Sequence, residues 1–119
     1  MLFRSSLNDV VFEAETGIVI KNAKDIELHK VRVNTKTGSA LQAEKVERLD
    51  IDGLLSAKPI ADVPLIKLNN VQDVLLRNCW PFNGTKIFAA INGTETKNVK
   101  LINNELGEAT VVYGDEVKK

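Results

Sequence analysis

Leu49-Asp50-Ile51-Asp52 sets two carboxylates one residue apart, and an extended strand turns both side chains to one face, roughly 7 Å from each other. A pair at that spacing can hydrolyse a glycosidic bond if one carboxyl donates a proton while the other attacks the sugar or activates water. The opposing reading is plainer. Any β protein in water carries acids on its solvent face, and no neighbouring apolar run forms the pocket that would keep one of these acids protonated. No catalytic residue is therefore assigned. Trp80, in Trp80-Pro81-Phe82, offers a flat apolar face to a sugar ring, with the cation of Arg77 close by in sequence. Packing within a turn is the competing role for that tryptophan. Trp80, Arg77 and Lys67 are the three residues to which a carbohydrate contact is assigned.

The remaining reactive side chains exclude several chemistries. Cys79 is the only cysteine and His29 the only histidine, so the chain holds neither an internal disulfide nor a Cys/His zinc set, and no metal or cofactor is expected. Cys79 is read as a core residue. Sixteen acidic residues balance sixteen basic ones, which removes the basic excess of a nucleic-acid partner. No apolar run is long enough to cross a membrane as a helix, and the opening Met1-Leu2-Phe3-Arg4-Ser5-Ser6-Leu7 lacks the pattern of a signal peptide. Asn83-Gly84-Thr85 and Asn92-Gly93-Thr94 match the glycosylation acceptor pattern, but the same residues are ordinary turn formers.

What must position these residues is a repeat. Sliding Gly17 to Val33 by 23, then 25, then 25 residues aligns Ile18, Leu41, Ile66 and Ile91, and beside them Ile20, Ala43, Leu68 and Gly93. The same slides align Ile26, Leu49, Val74 and Val99, then Leu28, Ile51, Leu76 and Leu101. Apolar and polar residues alternate within each unit, the signature of half-buried strands. A fifth column, Val31, Leu54, Cys79 and Asn104, turns polar at its last member. Just before it stand Lys30, Gly53, Asn78 and Asn103, types that, Lys30 apart, tolerate a left-handed backbone, so one bend per unit is expected there. Asn78 and Asn103 would then stack and share amide hydrogen bonds.

This period is too short for a propeller blade, and a constant slide is not what an antiparallel sandwich produces. The expected fold is all-β: a right-handed single-stranded parallel β-helix, or β-solenoid, of about four to five coils of 23–25 residues in one domain spanning 1–119. Residues 1–16 would form an incomplete first coil or cap, 17–109 the four repeats, and 110–119 a partial last coil and tail. Leu2, Phe3 and Leu7 are candidates to fold over one end, while the charged run from Gly114 to Lys119 is expected to fray. No convincing cap is legible, so self-association through the open ends, as a homo-oligomer, is expected. The outward columns Val19, Gln42, Lys67, Asn92; Glu27, Asp50, Leu75, Lys100; and His29, Asp52, Arg77, Ile102 each mix signs and polarity, unlike a polyanion-binding stripe.

The phrases Gly17-Ile18-Val19-Ile20-Lys21-Asn22-Ala23-Lys24-Asp25-Ile26-Glu27-Leu28 and Val63-Pro64-Leu65-Ile66-Lys67-Leu68-Asn69-Asn70-Val71-Gln72-Asp73-Val74 resemble the last coils of glycoside hydrolase family 28, the polygalacturonase-like enzymes. That resemblance implies a C-terminal piece of a right-handed β-helix whose full-length relatives, secreted or periplasmic, cleave galacturonate-containing polysaccharides. The family's active-centre segments are Asn-Thr-Asp, Asp-Asp, Gly-His-Gly and Arg-Ile-Lys. Here Asn34-Thr35-Lys36 has lysine in place of aspartate, Arg32-Val33-Asn34 lacks the closing lysine, and His29 stands between Leu28 and Lys30. The resemblance thus carries over no catalytic residue, and the chain is expected to be inactive alone. The alternative is a self-associating structural or carbohydrate-binding module.

Overall fold

The computed structural model describes residues 5–14, 17–56, 63–81, 84–106 and 109–114. Among them there is no helix, and ten strands pair in parallel throughout. They are β1 (Ser5–Ala14), β2 (Ile18–Thr35), β3 (Leu41–Asp52), β4 (Leu55–Ser56), β5 (Ile66–Asn69), β6 (Gln72–Arg77), β7 (Trp80–Pro81), β8 (Ile87–Asn92), β9 (Lys97–Ile102) and β10 (Thr110–Tyr113). The chain is a parallel β-solenoid of about four stacked turns, so the antiparallel sandwich is excluded.

Each coil has three sides. Side one stacks Ile18–Lys21, the start of β3, β5, β8 and β10. Side two stacks the first half of β1, Ile26–His29, Leu49–Asp52, β6 and β9. Side three carries the end of β1, the end of β2, β4 and β7. In β5 and β6 buried residues alternate with outward ones: Ile66 and Leu68 are buried while Lys67 and Asn69 are exposed. Leu41, Ile51, Ile66, Leu68, Leu76 and Ile91 are completely enclosed, each covered by its own coil and by those above and below.

Left-handed backbone recurs at three positions per coil rather than the one expected, two of them between sides one and two and the third between sides two and three. Lys30, Gly53, Asn78 and Asn103, the column read from the sequence, all have positive φ, from 52° to 80°. So do Asn22, Lys45, Asn70 and Gly93, and again Asp25, Arg48, Asp73 and Asn98. Asn, Asp and Gly dominate because they reach this conformation at least cost.

The fourth repeat departs from the uniform slide on side one. Ile66 pairs with Ala89 and Leu68 with Ile91, a shift of 23 rather than 25. The Ile91 and Gly93 expected in those columns are replaced by Ala89 and Ile91, and the outward partner of Lys67 is Ala90 instead of Asn92. Side two returns to 25, with Val74 beside Val99. The fourth coil therefore carries two extra residues at the corner between β8 and β9. Gly93 fits there because a side chain would strike the backbone of Asn70. Thr96, buried at that corner, restores the lost backbone bonding: its Oγ1 accepts from Val71 N–H at 3.2 Å and donates to the Asn92 carbonyl at 2.6 Å.

Candidate functional site

Asp50 and Asp52 share the outer face of side two, as their alternation requires, and their columns place Arg77 one coil beyond and His29 one coil before. Arg77 Nη2 donates to Asp50 Oδ2 at 3.0 Å, and its Nε lies 3.8 Å from Asp52 Oδ2. His29 Nδ1 approaches the same Asp52 oxygen at 3.8 Å. All four side chains are partly buried. One guanidinium thus serves both carboxylates. Division into a proton donor and a base needs the two acids to stand in unlike environments, and here both face one cation.

Glu27, His29 and Asp50 each bring a potential ligand atom within 4.8 Å of the others. Arg77 already places its positive charge on Asp50, so a divalent ion would have to compete with it, and Asp50 Oδ1 stays buried without a hydrogen-bond partner. The arrangement is an ion-pair network that ties three coils together.

The three residues assigned to carbohydrate stand on three different sides. Arg77 is on side two in the network above. Trp80 is on side three, in β7 beside Leu55, and is 54% exposed, so it is not packed away as a turn residue. Phe82, and Asn83 of one acceptor pattern, lie outside the described residues, as do Leu2 and Phe3 of the expected cap and 115–119 of the expected frayed tail. Lys67 is exposed on side one, where it lines a shallow groove of about 230 Å³ with Val19, Lys21, Gln42, Glu44, Asn69 and Asn92 among its walls. Amides and both signs of charge alternate along it. It suits a neutral or weakly acidic polar chain better than a polyanion.

Two side chains do work that the sequence reading missed. Asn104, the polar end of the fifth column, accepts from Cys79 N–H through Oδ1 at 2.9 Å and donates from Nδ2 to the Leu76 carbonyl at 3.0 Å. It closes the column over the buried Cys79 by hydrogen bonding instead of by burial. Asn78 does not share its amide with Asn103; it donates to Asp52 Oδ1 at 3.0 Å, one coil back. The acid is the stronger acceptor. Burial pushes the Cys79 thiol up to about 11, against the opposing pull of hydrogen bonds from the Leu54 and Gly53 backbone.

Fold and surface define a parallel β-solenoid with an ion-paired acid cluster on the outer face of side two. Comparison with family models, with curated proteins and with solved structures found no match.

Proposed function

We propose that this chain is a non-catalytic β-solenoid segment of the polygalacturonase-like, glycoside hydrolase family 28 type, which contacts pectic polysaccharide along its coils. The observation that carries the reading is the shared guanidinium: the acid pair at the most favourable spacing, Asp50 and Asp52, is held by Arg77 as a structural ion pair. The family resemblance of Gly17 to Leu28 and Val63 to Val74 suggests the substrate class, and the side-one groove offers room for a sugar chain, with Lys21 and Lys67 as exposed cations.

The test is incubation of the purified chain with methyl-esterified pectin, the weakly acidic form that the mixed-sign groove suits, and with polygalacturonate as the fully charged comparison, following reducing ends and binding in parallel. Binding without turnover, weakened by Lys67→Ala and unchanged in an Asp50→Asn, Asp52→Asn double variant, is the expected result. Turnover that the double variant abolishes would overturn the non-catalytic reading. Absence of both binding and turnover would remove the pectic ligand.

A further inference from the structure

Sides one and two each stack five strand segments among the described residues, but the two stacks are displaced by one level. Side two starts one coil earlier, with β1, and side one ends one coil later, with β10. Each end of the described stack is therefore a step. At the β1 end, Ile18–Lys21 pairs with β3 above and with no described strand below. At the β10 end, β9 pairs with β6 below and with no described strand above. The core residues beneath these edges, Ile18, Ile20, Val99, Leu101, Val111 and Tyr113, are only partly buried.

We propose that copies of this chain join head to tail through a half-coil lap joint. The β10 strand of one copy completes the missing level under Ile18–Lys21 of the next, and β1 of that next copy completes the same level over β9. The register needs no adjustment. Val111, Val112 and Tyr113 belong to the columns of Ile18, Val19 and Ile20, through Ala89, Ala90 and Ile91, then Ile66, Lys67 and Leu68, then Leu41, Gln42 and Ala43. Parallel main-chain hydrogen bonds would continue across the joint as they do between coils.

An independent feature points to the same occupant. Outward positions on side one are polar or small in the middle coils, Gln42, Lys67 and Ala90, but the column ends on valine both ways, Val19 at 50% and Val112 at 46% exposure. Val19 lines the side-one groove but Val112 does not, so that groove does not account for an exposed valine at each end of the column. In the lap joint they become neighbours on adjacent strands, as β-branched pairs favour. Because the two surfaces differ, the contact is heterologous and does not close on itself, so it builds chains of copies. This inference is independent of any sugar ligand.

The decisive experiment is sedimentation velocity on the full chain across a concentration series, with Val19→Lys and Val112→Lys made singly, and Val19→Thr and Val112→Thr as milder versions that keep strand propensity. Far-UV circular dichroism checks that each variant is folded. The wild type should form a ladder of oligomers that lengthens with concentration. Each lysine variant should lose at least about tenfold in association constant. An equimolar mixture of the two lysine variants should form dimers and stop there, since each retains one intact and opposite end. A wild type that stays monomeric at high concentration, a closed dimer that does not grow, or lysine variants that associate as the wild type does would each overturn the joint.

Discussion

The middle coils and the end coils are built from the same kinds of residue, yet they are held together differently. Leu49, Ile66, Leu68 and Leu76 are sealed, while Val99, Ile18, Ile20 and Leu101, in the same columns, are only partly covered. The strand pattern is equal in both. What differs is the number of neighbouring coils, because in a solenoid a residue's burial is conferred from above and below. The end coil compensates with polar side chains: Thr96 and Asn104 bond to backbone groups of the coil beneath, where the middle coils use Val46, Val71, Leu54 and Cys79. Apolar burial and hydrogen-bonded closure are thus alternative solutions along a single column.

The sharpest test of this contrast is truncation in one column. Leu76→Ala empties a site enclosed on all sides and is expected to cost about 3 to 5 kcal/mol, whereas Leu101→Ala, one coil further, should cost about half as much because its side chain is already partly in water. Urea melts followed by circular dichroism measure both. Equal losses would mean that Leu101 is as enclosed as Leu76, and the contrast between coils would collapse.

Cys79 gives the middle coil a second signature, in pH. In the unfolded chain the thiol ionises near 9.0, but burial raises it to about 11 in the fold. Between those values the unfolded state has released a proton that the folded state keeps, so stability falls as pH rises. The contribution is complete below pH 9, is lost through pH 11, and amounts to about 3 kcal/mol. The difference between wild type and Cys79→Val, which continues the Val31 and Leu54 column, should open over this window. Parallel stability curves for the two proteins would refute it.

At the end coil, Asn104→Leu restores the apolar column that the sequence pattern asks for, and should nevertheless destabilise by about 1 to 2 kcal/mol. It deprives Cys79 N–H of its acceptor and the Leu76 carbonyl of a donor. Thermal melts of the variant decide whether closure at this end is polar. A gain in stability would show that burial wins there too.

The alternation of Ile26, Leu28, Leu49 and Ile51 and the recurrence of their spacing made the solenoid legible, because both follow from strand geometry and stacking alone. Two of the three corner columns were passed over, although the signal that marked Gly53, Asn78 and Asn103 was also present in Asn22 and Asn70 and in Asp25, Asp73 and Asn98. The side-one register of the fourth coil was hidden because a constant slide cannot show a two-residue corner insertion, which only Gly93 and Thr96 betray. The state of Asp50 and Asp52 was legible only in half. Their shared face follows from alternation, but the bridging by Arg77 depends on which residue arrives one coil later in register.

The smallest expected effect lies at the corners, where middle and end coils are alike. Lys30, Lys45 and Arg48 take the left-handed conformation with φ between 52° and 59°, although their neighbours in the same columns are mostly Asn, Asp or Gly. A long side chain at such a position pays roughly 1 kcal/mol against a residue that adopts it readily. Lys45→Asn, at an exposed corner, removes that strain without disturbing a buried contact and should stabilise the fold by about 0.5 to 1 kcal/mol. Arg48→Asn should gain less, because Arg48 Nε also pairs with Asp25 Oδ1 at 3.4 Å and that contact would be lost. If urea melts show Lys45→Asn to be destabilising, the corner is set by side-chain contacts and not by backbone preference, and the same rule would then have to explain all three columns.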